Sequence, residues 1–277
     1  MCPPVEAYML RRALSFMPRR LRGHATKHLD PLIRTKPCID DHAGAPFEYS
    51  NDPSEANMFY GIYEADDWRA ARAFLKPGMT AVDVGANIGW YSSIFAGGVG
   101  SSSVPQGRVF AIEPYPDNLK RLERSKALLP SPEILVIIRG VCSDIDGTAS
   151  LFLNRFHPGH TLMKDFAQGL SFTGQTITVP SITLDTLARE HRIDRIDFLK
   201  IDVESAELLV IRGAQRILQN ICRIMVEITD IGGERANTLH SILLTNGFTA
   251  FISKRSKLRP FNPSDYQGQQ RNIFYLK

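Results

Sequence analysis

Residues 79–92 read Met-Thr-Ala-Val-Asp-Val-Gly-Ala-Asn-Ile-Gly-Trp-Tyr-Ser. A short apolar run ends at Asp83, and Gly85 and Gly89 bracket a turn that opens into a helical pattern. Glycine lacks a Cβ and tolerates positive φ, so it belongs where backbone passes close to a ligand. A helix start just beyond such a turn offers unpaired N–H groups to a polar ligand. The segment therefore reads as the ligand floor of a doubly wound α/β domain. Its spacing is Gly-x-x-x-Gly, without the middle glycine that lets dinucleotide folds admit a pyrophosphate. A nucleoside ligand lacking a diphosphate is the expectation.

Outward from that turn, strand patterns fall at 80–84, 108–113, 134–141, 196–203, 222–228, 248–253 and 272–276. Helix patterns fall at 88–96, 116–129, 183–191, 206–219 and 234–246. Such alternation implies crossover connections and a mostly parallel sheet with helices on both faces. The last two strands are separated by a polar, basic loop (254–270), which predicts an antiparallel pair. Residues 54–75 read as one helix, closed by Lys76-Pro77-Gly78. Strand-like stretches 148–154 and 176–181 flank polar 155–174, a hairpin or lid insertion within about 144–182 and over the carboxyl edge of the sheet. We divide the chain into a basic arm, 1–53, and a ligand-binding domain, 54–277. Pro18 interrupts the helical pattern of the arm.

Composition narrows the class. The chain has 277 residues, 43% of them hydrophobic, enough for a normal core. A net charge of +4 demands no anionic partner, and nucleic acid is not expected. The four cysteines show no Cys-x-x-Cys spacing, which points to reduced thiols in a cytoplasmic protein. No apolar run approaches the roughly 20 residues of a membrane span, and the start does not look like a secretory signal.

Several side chains carry candidate chemistry. Glu113 ends the second strand, before Pro114, where an acid accepts ribose hydroxyls. Asp83 and Asn87 adjoin the glycine turn and either meet the ligand or tie down backbone. Cys142 and Ser143 follow the third strand, at the height of an adenine ring. Residues 197–207 place Lys200, Asp202 and Glu204 on one face by period-two alternation. Charges there are costly unless paired or used, so the cluster is either a Lys200–Asp202 structural pair or a ligand-facing site. Glu227, at the end of the fifth strand, points to the same crevice. His157 and His160, across Pro-Gly, are candidates for a base or substrate contact; no metal ligand is assigned, and a divalent metal on Asp202 and Glu227 is left open because no spacing forces it.

Together these pieces resemble the FkbM-type S-adenosylmethionine-dependent methyltransferases. The resemblance is carried by Tyr-Glu-Ala-Asp-Asp-Trp (63–68), Leu-Lys-Pro-Gly (75–78), Asp-Val-Gly-Ala-Asn-Ile-Gly-Trp-Tyr-Ser (83–92) and Val-Phe-Ala-Ile-Glu-Pro (109–114). Thr-Leu-Asp-Thr-Leu (183–187), Ile-Asp-Phe-Leu-Lys-Ile-Asp-Val-Glu (196–204) and Val-Glu-Ile (226–228) complete it. It covers about residues 60–277. It implies a Rossmann-like class I fold: a seven-stranded, mostly parallel sheet with one antiparallel strand. It implies S-adenosylmethionine as cofactor, with Asp83, Gly85, Asn87 and Gly89 around its methionine end and Glu113 on the ribose. Asp202 would lie beside the transferred methyl group, and Glu64 would present an acid nearby. Ser205 stands where the family usually has glycine.

The implied activity is O-methylation of a hydroxyl on a sugar, glycolipid or polyketide-like acceptor. The proton-accepting candidates are Asp202, Glu204, Glu227 and His160, in that order. The competing readings are a nicotinamide dehydrogenase on a similar sheet and a non-enzymatic nucleoside-binding module. The oligomeric state is left open.

Overall fold

The computed structural model describes residues 9–10, 12–14, 17, 19–33, 38–41, 44–50, 52, 55–100, 107–154, 160–169 and 172–277. In chain order, its elements begin with helix α1 (Arg19–Ile33), strands β1 (Cys38–Asp40) and β2 (Phe47–Tyr49), and helices α2 (Ala56–Phe59) and α3 (Ala65–Phe74). Then follow β3 (Thr80–Val84), α4 (Trp90–Val99), β4 (Arg108–Glu113), α5 (Pro116–Leu128), β5 (Leu135–Arg139) and β6 (Val141–Cys142). Next come β7 (Gly147–Asn154), α6 (Lys164–Gly169), β8 (Phe172–Ile182), α7 (Leu184–Glu190), β9 (Phe198–Ile201) and α8 (Glu207–Arg212). The chain closes with β10 (Arg223–Ile228), α9 (Glu234–Thr245), β11 (Thr249–Lys254), β12 (Lys257–Pro260) and β13 (Arg271–Leu276).

The main sheet has the order β12-β11-β13-β10-β9-β3-β4-β5. β5, β4, β3, β9 and β10 run parallel, and β13 inserts antiparallel between β10 and β11. The seven expected strands are therefore all present, with a single reversed strand among them. An eighth, β12, forms a hairpin with β11 inside the stretch read from sequence as a loop. Its residues, Lys257-Leu258-Arg259-Pro260, are too polar for the hydrophobic pattern to mark a strand, as suits an edge.

Period-two alternation explains how the sheet holds its helices. Ala81, Val109, Ala111, Phe198 and Met225 enter the core on one face, with Ile94, Phe95 and Leu122 of α4 and α5. Val82, Phe110, Leu199, Ile224 and Val226 enter the core on the other, with Leu187, Ile211 and Leu243 of α7, α8 and α9. The central strands are buried on both sides and read as near-continuous apolar runs. Two of their charged residues, Asp83 and Lys200, stand at the same height on adjacent strands.

Three expectations are revised. The helix over 54–75 is broken between Tyr60 and Glu64, where Gly61 and Glu64 adopt positive φ (68° and 42°). The helix over 206–219 stops at Arg212, and a 3-10 turn at Ile217–Asn220 follows. The insertion pairs over longer strands than read from sequence, β7 with β8 antiparallel, and β6 joins their far side. In the arm, α1 begins directly after Pro18 and packs against α2; much of the rest of 1–53, like His157, lies outside the described residues. Cys142 and Cys222 are free thiols. No described helix is long and apolar enough to cross a membrane.

Candidate active site

β4 and β5 lie to one side of β3, and β9 and β10 to the other, so the order reverses at β3/β9. Open α/β sheets bind ligands outside the carboxyl ends of strands at such a point. A cavity of about 240 Å³ lies there, walled by Gly85, Asn87, Glu113, Cys142, Asp202 and Glu227 among others.

The floor is the glycine turn. Gly85 has φ 78°, and a Cβ there would stand 1.8 Å from the Asp202 carbonyl oxygen, so no other residue fits without moving backbone. Its neighbour Asn87 is also left-handed (φ 51°), which turns its N–H onto Glu113 Oε2 at 2.8 Å. Glu113 Oε1 accepts from the Tyr115 N–H at 2.9 Å and from Asn118 Nδ2 at 3.1 Å. Three of the roughly four lone-pair sites of a carboxylate are thus engaged by the protein itself. Burial raises the pKa of Glu113 from its ordinary value against these three donors. The group is rigidly aimed, with one acceptor position left for a ligand hydroxyl rather than two.

Gly89 and Asp83 do not line the cavity. Gly89 caps α4 with φ 90°, and a Cβ there would lie 2.5 Å from Leu122 Cδ1, so its role is to let α4 and α5 approach. Asp83 is fully buried; Ser92 Oγ donates to its Oδ2 at 2.6 Å, and Lys200 Nζ lies 3.5 Å from Oδ1. Asp83, read from sequence as meeting the ligand or tying down backbone, is engaged here by Ser92 and Lys200, and Gly89, which the resemblance placed at the methionine end, faces Leu122. Pro114 and Cys142 do line the wall. Ser143 does not: its hydroxyl donates to Asp144 Oδ1 and its N–H to the Ile182 carbonyl.

Above Asp83 the charges collect. Lys200 is 3% exposed; its ammonium donates to Asp202 Oδ2 at 3.1 Å and sits 4.9 Å from the centre of the Tyr91 ring. Burial works against this charge, but Asp202, Asp83 and Glu64 outweigh it and hold the lysine protonated. Lys200–Asp202 is therefore a structural pair and part of the site at once. Tyr91 donates to Glu64 Oε2 at 2.6 Å, and burial raises the Glu64 pKa. Glu64 itself stands behind the cavity wall that Tyr63 forms.

β9 ends at Ile201, and the loop beyond it carries Glu204 and Ser205 in the left-handed region (φ 53° and 75°). Glycine at 205 would adopt that φ freely; Ser205 holds it with its N–H on Glu207 Oε1 at 2.9 Å. Burial, then Asp202 and Glu207, push the Glu204 pKa up to about 8. Glu227 is pushed well above the carboxylate range by burial and by Asp202, to which it is hydrogen-bonded, so one proton is held between them. Carboxylate oxygens of Asp202, Glu204 and Glu227 come within 4.8 Å of one another, a spacing that suits a divalent cation as well as a shared proton. Neither Glu204 nor Glu227 has an ion-pair partner among the described residues.

The β7–β8 hairpin covers this edge. Thr161 Oγ1 donates to the Glu204 carbonyl at 2.5 Å, fastening the hairpin to the acidic loop. His160 reaches the cavity with its ring centroid 4.3 Å from that of Tyr115. Its Nδ1 accepts the Asn154 N–H at 3.1 Å, so the neutral ring carries its proton on Nε2. In that tautomer it presents a donor on the cavity side. Sequence reading missed Tyr63, Asn118, Thr161 and Gln270 on the cavity wall. The adjacency of Tyr63 to Glu64, and of Asn118 to the strand-ending Glu113, was the available signal for two of them.

With this geometry in place, comparisons with known proteins fix the class. A model of the methyltransferase FkbM domain matches residues 83–249. The chain belongs to the FkbM methyltransferase family. It is 29% identical over 146 residues to the hexuronic acid methyltransferase AglP of Haloferax volcanii, covering 53% of this chain and 54% of that protein. It is also 26% identical over 224 residues to the AMB antimetabolite synthetase AmbE of Pseudomonas aeruginosa, covering 66% of this chain and 10% of that one. The matches thus span about half of one curated relative and a tenth of the other. Among solved structures, methyltransferase FkbM from Methylobacillus flagellatus KT is similar with a TM-score of 0.43 at 13% identity, over 81% of this chain and 53% of that one.

Proposed function

We infer that the chain is an S-adenosylmethionine-dependent O-methyltransferase acting on a hydroxyl of a sugar or related polyol. The observation that carries this reading is the pairing, in one cavity, of a rigidly aimed strand-end carboxylate with a second, under-neutralised acidic cluster. Glu113 with Asn87 and Asn118 suits a ribose edge, and Cys142 and Pro114 suit the flat face of a base. At the other end, Asp202, Glu204 and Glu227 suit the sulfonium and ammonium charges of the cofactor, which supplies an activated methyl group when bound. The sugar acceptor is supported by the hexuronic acid methyltransferase among the relatives.

The chain's own contribution to chemistry is positioning and proton acceptance. An acceptor hydroxyl must be held in line with the methyl carbon, and such positioning lowers the barrier by several kcal/mol. The hydroxyl proton must leave near the transition state. Asp202 is fixed for this by Lys200, and the Asp202–Glu204–Glu227 trio shares the arriving proton. His160, as a donor, orients the substrate or cofactor instead.

The test is calorimetric binding of S-adenosylhomocysteine to the wild-type protein and to Glu113→Gln. The variant keeps the shape but replaces the charged acceptor, and loses roughly tenfold to hundredfold in affinity. Equal affinity would remove the ribose assignment. A protein that binds NAD but not S-adenosylhomocysteine would replace the cofactor.

A further inference from the structure

A second, larger cavity lies beside the first on the same edge of the sheet. It has a volume of about 590 Å³ and sits over the carboxyl end of β11 and the start of β13, roofed by α1 and the start of α3. The two cavities share a wall: Tyr63 and Gln270 face the first, while their neighbours Glu64 and Arg271 face the second. With the nucleoside end at Glu113 over β4 and the acidic trio over β9 and β10, the side left open to an incoming acceptor is that of β13 and β11. The second cavity occupies it.

Its polar groups divide into committed and open ones. Asp66 accepts from the N–H groups of Arg255 and Ser256 at 2.8 and 2.9 Å. Asp67 accepts from Ser253 Oγ and from Asn272 Nδ2. Glu64 is held by Tyr91. Of the cations, Arg22 is engaged, its Nε–H on the Met17 carbonyl at 3.0 Å, and two are freer. Lys254 is exposed and has no hydrogen-bond or ion-pair partner among the described residues. Arg271 gives one N–H to Gln269 Oε1 at 3.2 Å and lies over the Tyr266 ring at 5.6 Å, leaving the rest of its fork open. A guanidinium fork on an aromatic face suits a planar carboxylate.

The rival is a groove of about 400 Å³ between the Ser205–Leu208 loop and the start of α9. Its walls carry Glu207, Asp230 and Glu234, and its one arginine there, Arg235, is paired with Asp165. Acids dominate that surface and repel an anion.

We propose that the cavity between α3 and the β11–β13 edge is the methyl-acceptor subsite, and that it takes a glycoside whose carboxylate is held by Lys254 and Arg271. This rests on the methyltransferase reading above and names where its acceptor binds. The probes are methyl β-D-glucuronoside and methyl β-D-glucoside, titrated by calorimetry into the protein saturated with S-adenosylhomocysteine. The glucuronoside binds more tightly than the glucoside, and Lys254→Met and Arg271→Met each weaken it roughly tenfold. Neither variant changes affinity for S-adenosylhomocysteine, which reports intact folding, and Arg235→Met leaves glucuronoside binding intact. Equal binding of the two glycosides, loss on Arg235→Met instead, or no binding of either by protein that binds S-adenosylhomocysteine overturns the subsite while sparing the cofactor reading. Failure of S-adenosylhomocysteine itself to bind overturns both.

Discussion

Two buried charge clusters in this molecule are built on opposite terms. From α5, Arg121 clasps Glu55 with both arms of its fork, at 2.7 and 3.0 Å, and Ser50 donates to the same carboxylate through its N–H and hydroxyl. Every oxygen has a donor, the charges cancel, and the interaction ties the segment before α2 to α5. At the carboxyl edge, one lysine serves Asp83 and Asp202, while Glu204 and Glu227 are left to repel their neighbours. Removing charges from water is costly, and only well-paired geometry offsets it. The balanced cluster builds the fold. The unbalanced one is a deficit of positive charge that a cationic ligand, or a proton, fills.

The difference can be broken from either side. The largest effect is expected in the balanced cluster: Arg121→Ala leaves Glu55 buried without its partner and costs about 3 kcal/mol of stability. Urea denaturation reads this, and affinity of the folded fraction for S-adenosylhomocysteine stays unchanged. The opposite sign is expected at Glu204. Its folded pKa is raised to about 8, so the native state holds a proton that the unfolded chain releases near its ordinary carboxylate value of 4.5. Stability therefore falls as pH rises between those values and stays lower above them. Glu204→Gln removes that loss. The variant is more stable than wild type above pH 8 and equal to it near pH 4. A Glu204→Gln protein that melts earlier at high pH would erase the distinction between the clusters. The smallest effect concerns the loop that carries the unbalanced charges. Ser205→Gly relieves a left-handed serine at φ 75° and raises stability by about 0.5–1 kcal/mol, read as a higher melting temperature.

What was legible in the sequence follows the same division. The glycine turn, the strand-ending Glu113 and the Lys-Ile-Asp-Val-Glu run are local patterns, and each reports its own environment. Strand alternation was equally local, so the parallel core and its reversed strand were readable. What failed was long-range or finely local. The two readings of Asp83 stayed open because sequence shows its neighbours along the chain, not Lys200 across the sheet at the same register. Gly89 was read for its missing Cβ, correctly, but the space it opens belongs to Leu122 of α5. His160 was ranked by residue type, while its tautomer depends on an Asn154 N–H that only the hairpin bend supplies. The break at Gly61 was visible as a glycine inside a helical pattern, but apolar spacing on both sides of it masked the signal. The second cavity takes Glu64–Asp67 from one quoted motif, but the rest of its wall comes from distant stretches near residues 22, 252–254 and 266–272 that carry no motif.

The decisive experiment titrates S-adenosylmethionine into the wild-type protein by calorimetry from about pH 6 to about pH 9, in buffers of differing ionisation enthalpy. If the unbalanced acids are there for a cationic ligand, binding must ionise them. Affinity then rises with pH across the range, as Glu204 titrates near 8 and Glu227 higher still, and protons pass to the buffer. Affinity that is level across the range, with no proton released, would mean that the cationic end of the ligand lies elsewhere.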